Sequence, residues 1–389
     1  MLARYFTTRI FVSAVTFISN LLIARYLGAE SFGLYAVTLA TLMTATVILS
    51  LGTEQSLLYF MSSKNHNESN ILLTMTLHCL LSLVCILVYV SITNPSEIAL
   101  FAIGFCALIL YTSSSCIAVA LDKIAQSSKY MFYLYIAYIV FILLVINFRE
   151  ENRQYTIFLY GYFSVLLIYS FLILTSISFP KLELSKNEVL SFYKYGFKIA
   201  PGNIFGILKL RLPIFFIAAY NLTDFAGQFA ISMAIIEASF IFPVMVSNLI
   251  TKEKVQNKES AITDAYRKYI LVYSLIFTAL VVCVPESFYT VIFGLSYKDV
   301  PVLLNLLIPI TFLFALGKYY SSIFLAANQP FIVTASEFIN LIVFAIAFFT
   351  LKTFVGLQLA LIISIVFGYV SGVLFLIAND KRMRHHVLS

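Results

Sequence analysis

Residues 98–120 read IALFAIGFCALILYTSSSCIAVA, a run without a single charged side chain. A helix needs about 20 mostly apolar residues to cross a hydrocarbon core about 30 Å thick. Stretches of the same kind lie at about 4–25, 33–60, 71–92, 130–147, 155–178, 196–219, 226–250, 268–293, 300–327, 331–351 and 354–378. They leave no polar interval large enough to hold a soluble domain. Only helices and closed barrels satisfy their backbone polar groups inside lipid. These runs are continuous rather than alternating, so the expected fold is an all-α integral membrane protein with about 12 transmembrane helices. The composition agrees, with 61% hydrophobic residues, 11% charged residues and a mean hydropathy of +0.96.

The net charge of +7 raises the question of nucleic acid, and the placement of the charge answers it. With a cytoplasmic N-terminus and alternating helices, 16 of the 25 Lys and Arg residues fall on the cytoplasmic side, and only Arg25, Arg149, Arg153, Lys298 and Lys352 fall opposite. The positive-inside rule places both termini in the cytoplasm. The basic balance is a topology signal, and no nucleic-acid partner is expected. The first apolar stretch runs past Arg9 to Ala24 without a small-residue cleavage pattern, which reads as a retained first helix. Cys79, Cys85, Cys106, Cys116 and Cys283 all lie in apolar stretches and are expected to be free and structural. His66, His78, His385 and His386 show no metal-ligand spacing with them. Neither a cofactor nor a metal is expected.

The longest polar breaks, around 179–198 and 251–267, are both cytoplasmic. The first holds Leu182 to Tyr193, whose apolar spacing suits an interfacial helix linking two halves. The expected organisation is an N-terminal half over 1–180 with six helices, a linker helix over 181–195, and a C-terminal half over 196–389 with six more. An internal repeat supports this. Gly33, Tyr35 and Ala36 correspond to Gly227, Phe229 and Ala230 at a single offset of 194 residues, each set entering a helix after an acidic residue. Six plus six helices of like orientation make a parallel, pseudo-two-fold repeat of the kind transporters use.

Four segments resemble the Wzx-type polysaccharide flippases, which carry O-antigen and capsule repeat units. Those flippases belong to the MOP superfamily, together with the MATE multidrug exporters and the lipid II flippases. Ala24-Arg-Tyr-Leu-Gly-Ala-Glu-Ser-Phe-Gly-Leu-Tyr35 is similar to that family's R-x-L-G-x-x-x-F-G-x-Y after helix one. Pro285-Glu-Ser-Phe-Tyr-Thr-Val-Ile-Phe-Gly-Leu-Ser-Tyr297 resembles the segment closing helix nine. The run from Leu303 to Asn328 with its Ala326-Ala-Asn-Gln-Pro330 turn, and Gly356-Leu-Gln-Leu-Ala360 opening helix twelve, complete the set in order. The chain departs from the fourteen-helix relatives by a very short segment before helix one and by lacking extra C-terminal helices. The resemblance implies a bacterial cytoplasmic-membrane protein that moves an undecaprenyl-diphosphate-linked oligosaccharide to the periplasmic leaflet. It implies membrane lipids, a polysaccharide polymerase and a chain-length regulator as partners, and no enzymatic activity.

Ionisable groups at membrane depth cost roughly 2.5–3.5 kcal/mol each on insertion scales and mark functional candidates. Here they are Arg9, Glu54, Lys209, Arg211, Glu237, Lys318 and Glu337, with His78 as a neutral candidate. Four cations against three acids leave a positive excess suited to a diphosphate, which Arg holds through its fork and Lys as a point charge. Lys209, Arg211, Lys318 and Arg9 are therefore candidate substrate ligands, and Glu237, Glu337 and Glu54 candidates for ion coupling or gating. Lys209 and Arg211 lie about 200° apart on an ideal helix and cannot both face one cavity unless the helix breaks, which Pro201, Gly202, Gly206 and Pro213 would permit. The structural alternative is an ion pair with Glu237. Arg9 and Glu54 have snorkelling to the interface as theirs, and Glu337 is placed to neutralise Lys318.

His78 reads as a hydrogen-bonded core residue. Thr112, Ser113, Ser114, Ser115, Asn203 and Ser232 either line a hydrated sugar path or bond back to the helices. Gly202-x-x-x-Gly206 and Gly368-x-x-x-Gly372 read as close helix contacts. A MATE-type exporter of cationic drugs fits less well, because such cargo favours acidic cavities. A membrane polymerase or ligase would need a large periplasmic loop, and a channel or receptor would need a filter or a ligand domain.

Overall fold

Where the chain is continuously apolar it forms helices, and where Gly or Pro interrupts the run the helix bends or stops. The computed structural model describes residues 2–62, 68–93, 95–121, 123–148, 154–176, 186–255, 261–327 and 329–388. The described elements are all helical. In chain order the first are α1 (Leu2–Ser50), α2 (Thr53–Ser62), α3 (Glu68–Thr93), α4 (Ile98–Ala120) and α5 (Ile124–Phe148). Next come α6 (Tyr155–Thr175), α7 (Lys186–Ala219), α8 (Thr223–Ser239), α9 (Ile241–Val255) and α10 (Ala261–Val282). The last are α11 (Glu286–Phe293), α12 (Val300–Leu307), α13 (Pro309–Ala326), α14 (Pro330–Leu351) and α15 (Leu357–Leu388).

Among the described residues eleven segments are long and apolar enough to cross a membrane, and the first, Phe11–Ser50, has 40 residues. At 1.5 Å per residue it is about 60 Å long, twice a hydrocarbon core. Gly28, at φ 77° and ψ 170°, divides it where the sequence separates its first two apolar stretches. The chain is a multi-pass membrane protein, and dividing this segment at Gly28 gives twelve apolar crossings among the described residues.

Several crossings expected as single helices are split. The stretch 33–60 breaks at Leu51 (φ 48°) and Gly52 (φ 76°), between α1 and α2. A Cβ on Gly52 would lie 2.3 Å from the carbonyl oxygen of Gly196, so only glycine lets α2 approach α7 this closely. The stretch 226–250 turns at Phe240 between α8 and α9. Pro285 and Pro309 head new helices because proline donates no N–H to the preceding turn, which divides 268–293 and 300–327.

The chain divides into two compact units, Met1–Ile204 and Phe205–Ser389. In the first, α4 packs against α1, α2, α3 and α6, and α5 against α1 and α6. The first half of α7 joins this unit: Ser56 Oγ donates to the Phe192 carbonyl at 2.9 Å, Asn203 Nδ2 to Gln55 Oε1 at 2.9 Å, and Tyr59 stacks on Tyr195. Of the expected linker helix, 181–185 lies outside the described residues, and 186–195 runs without a break into α7.

In the second unit α13 packs against α9, α10, α14 and α15, α12 against α8, and α14 against α15. Both units thus use one neighbour scheme: their fourth crossing meets their second, third and sixth, and their fifth meets their sixth. The repeat read from the sequence has the same burial, with Gly33 and Gly227 buried and Tyr35 and Phe229 buried at 3% and 2% exposure.

Two glycines of α7 and its partner test this packing. Gly52→Ala forces a Cβ into the Gly196 carbonyl at an unfavourable φ and is expected to destabilise the protein by about 1–3 kcal/mol. Gly206 faces open space on a helix, and Gly206→Ala is expected to raise stability by about 0.5–1 kcal/mol. Thermal unfolding in detergent that shows equal shifts for the two would contradict the close contact of α2 with α7.

Candidate functional site

The Gly368-x-x-x-Gly372 pair builds one wall of the site. An ideal Cβ at Gly368 would lie 2.6 Å from Asn340 Oδ1 and 2.8 Å from the Asn340 carbonyl, and one at Gly372 would lie 3.2 Å from Ser336. The hydroxyl of Ser336 donates to the Gly372 carbonyl at 3.0 Å. This seam draws α15 against α14 and carries the adjacent residues, Glu337 on α14 and Tyr369 on α15, to the rim of a cavity. At Gly206, by contrast, an added Cβ would meet no atom within 4 Å among the described residues, so Gly202-x-x-x-Gly206 does not make the close helix contact expected of it at that glycine.

The cavity lies within the C-terminal unit and encloses about 340 Å³ including its open mouth. Its walls include Lys209, Phe314, Lys318, Ser321, Ser336, Glu337, Asn340 and Tyr369. Lys209 Nζ lies 2.5 Å from Glu337 Oε2, with the two side chains 10% and 18% exposed. The same ammonium sits 4.8 Å from the Tyr369 ring centroid, a cation–π arrangement. Lys318 places its ammonium 5.3 Å from the Phe314 ring, which itself stacks on Phe240. Two lysines therefore share a cavity with one carboxylate: Glu337 pairs directly with Lys209 and is also an electrostatic neighbour of Lys318. The hydroxyl of Tyr369 is buried with no hydrogen-bond partner.

Arg211 lies two residues beyond Lys209 and pairs with a different helix, while it and its partner Glu237 remain electrostatic neighbours of Tyr369. Its Nη1 donates to Glu237 Oε1 on α8 at 3.2 Å, the two side chains being 23% and 30% exposed. The break that would bring Lys209 and Arg211 to one side does not occur: α7 is helical throughout, with Pro201 and Pro213 inside it. Their spacing of about 200° accordingly sends Lys209 to α14 and Arg211 to α8. Of the two, Arg211 forms the pair with Glu237.

The remaining candidates lie in the N-terminal unit. Glu54 stands in the first turn of α2, where its Oε1 is buried without a hydrogen-bond partner, and Thr112, Cys79 and Cys116 are its electrostatic neighbours. It does not snorkel to open solvent. The side chain of Arg9 lies outside the described residues. His78 Nε2 lies 2.9 Å from the Leu49 carbonyl at the end of α1, and Tyr193 reaches its Nδ1 at 3.4 Å.

Thr112 and Ser113 bond back to the Ile109 carbonyl, and Ser232 to that of Gln228. Ser115 reaches the hydroxyl of Tyr169. Among the described residues no group of three or more His, Cys, Asp or Glu could hold a metal ion. Tyr369, Asn340 and Ser336 were absent from the sequence candidates. The available signal was the glycine pair flanking Tyr369.

Removing one partner of a buried pair leaves the other charge uncompensated, which costs about 3–5 kcal/mol. Lys209→Met is expected to destabilise the chain by that order, and adding Glu337→Gln to recover most of the loss. The same double-mutant cycle on Arg211 and Glu237 is expected to return a smaller coupling, because that pair is more exposed. Equal couplings in denaturant or thermal unfolding would contradict the ranking.

No protein-family model matches the sequence. No curated protein matches it either. Solved structures do. The lipid II flippase MurJ in an inward closed conformation superposes with a TM-score of 0.73 at 15% identity, over 97% of this chain and 87% of that one. An inward-facing multidrug resistance MATE family transporter of the MOP superfamily gives 0.71 at 13% identity, over 97% and 96%. A MOP superfamily transporter from Pyrococcus furiosus, described as having a binding pocket of reverse polarity that suggests a different function, gives 0.64 at 15% identity, over 98% and 95%. The chain has the fold of the MOP superfamily transporters.

Proposed function

We propose that the chain is a flippase for undecaprenyl-diphosphate-linked oligosaccharide repeat units, serving synthesis of O-antigen or another surface polysaccharide. It moves them from the cytoplasmic to the periplasmic leaflet of a bacterial cytoplasmic membrane by alternating access of its two halves, with both termini cytoplasmic. The observation that carries this reading is the cavity of the C-terminal unit, where two lysines face one carboxylate. A diphosphate supplies the negative charge that such a cavity lacks. Lys209 and Lys318 are the groups for the phosphates, with Arg211 and Arg9 as further cations. Glu237, Glu337 and Glu54 are the groups for gating or ion coupling. The prenyl tail stays in lipid. A polysaccharide polymerase and a chain-length regulator are the partner proteins of this reading.

The membrane potential drives the outward step. With the cell interior negative, outward movement of an anion gains about 2.3 kcal/mol per charge per 100 mV, so a diphosphate gains roughly 5 kcal/mol per 100 mV. The cavity has only to lower the desolvation barrier.

The second reading is a MATE-type exporter, favoured by the MATE structures that share the fold. Cationic cargo would meet a cationic cavity, which speaks against it. Proteoliposomes carrying a fluorescent undecaprenyl-diphosphate oligosaccharide separate the two. The flippase is expected to expose the lipid on the far leaflet, and Lys209→Ala and Arg211→Ala, each assayed below its own unfolding temperature, to slow this at least tenfold. Extrusion of cationic dyes with the lipid left in place would replace the flippase with the exporter.

A further inference from the structure

Glu337 occupies a position that an anionic ligand would take. Its carboxylate lies 2.5 Å from Lys209 inside the cavity, while the ammonium of Lys318, an electrostatic neighbour of both, makes no direct ion pair or hydrogen bond among the described residues. An ammonium at membrane depth with an aromatic ring beside it and no direct carboxylate contact among the described residues is expensive. Beside it Tyr369 buries a hydroxyl that has no partner. One cation and one donor are thus left over in a cavity that already holds a complete Lys209–Glu337 pair.

The size of the cavity limits what can use them. Even with its open mouth included the cavity encloses only about 340 Å³, so what uses them is a group the size of one phosphate rather than a whole repeat unit. A tetrahedral oxyanion has enough acceptor oxygens to bridge two point-charge ammoniums and take a further hydrogen bond. A carboxylate engaged by one lysine leaves the second unmet.

We propose that Glu337 is the resident counter-ion of a single-phosphate site, displaced from Lys209 when a phosphate group bridges Lys209 and Lys318 and accepts from the Tyr369 hydroxyl. The displaced carboxylate is 18% exposed and turns to water at the cavity mouth. In the empty state the pair keeps Lys209 neutralised, and the ligand has to compete for it. The inference rests on the reading of this cavity as the phosphate-binding part of the transporter.

The test uses the full chain in lipid nanodiscs, with thermal unfolding followed against inorganic phosphate and against chloride at matched ionic strength. Phosphate is expected to raise Tm saturably. Glu337→Gln removes the competitor and is expected to lower the half-saturating phosphate concentration at least tenfold. Lys318→Met is expected to raise it at least tenfold without lowering the Tm of the empty protein, which shows that the variant folds. Unchanged or weaker phosphate binding in Glu337→Gln overturns the displacement, as does wild-type binding in Lys318→Met. An equal response to chloride overturns the oxyanion assignment. Lipid translocation by the same preparations separates this from the flippase reading. The expected phosphate responses without lipid movement remove the flippase and keep the site, and lipid movement without phosphate responses does the reverse.

Discussion

A hydrocarbon interior offers no water to a peptide group, and the rest of this structure follows from that constraint. Every crossing satisfies its own backbone by forming a helix, and helices break only where a residue is built to tolerate it. Gly28, Gly52 and Gly356 adopt positive φ at three such points, and Pro285 and Pro309 head new helices at two others. The breaks do structural work. The turn at Leu51–Gly52 releases the Leu49 carbonyl from the helix ladder, and His78 takes it up. The same turn lets α2 approach α7 through Gly52 and Gly196.

Charge obeys the same constraint with less latitude. A helix crossing lipid can carry a lysine or arginine if a carboxylate meets it, and α7 carries one of each two positions apart. Because α7 is a continuous helix, the two cations diverge and recruit different partners, Glu337 on α14 and Glu237 on α8. The second unit is cross-braced by these pairs from a single helix. Lys318 lacks a direct ion pair among the described residues, and it lines the cavity.

The two units share a packing scheme without sharing chemistry. In the N-terminal unit the described polar groups around α4 include the hydroxyls of Thr112, Ser113 and Ser115, the phenol of Tyr169 and the carboxylate of Glu54. In the C-terminal unit the corresponding region around α13 holds two ammoniums, a carboxylate, an amide and a phenol. A duplicated scaffold has been given a polar, weakly charged interior on one side and a cationic pocket on the other. Similar structures at 13–15% identity, multidrug transporters and a lipid II flippase among them, show that one scaffold carries different pockets.

What was legible in the sequence was set by composition along the chain. Apolar run length alone established a helical membrane protein, and the split of Phe11–Ser50 at Gly28 left the expected count of twelve crossings intact. The offset of 194 residues marked the repeat, and the rarity of charge in these runs picked out Lys209, Arg211, Glu237, Lys318 and Glu337 individually. Their partners were not legible. Each residue turns a helix by about 100°, so pairing depends on how the helices are rotated against one another. In lipid that rotation leaves no amphipathic stripe, because the face turned to the acyl chains is as apolar as the face turned to protein. Leu77, Leu80, Leu81, Val84 and Val88 face outward from α3, while Ile71, Met75 and Ile86 of the same helix are buried. Tertiary packing therefore decided that Glu337 pairs directly with Lys209, that Arg211 pairs with Glu237 on α8, and that Tyr369 comes to the cavity between two glycines.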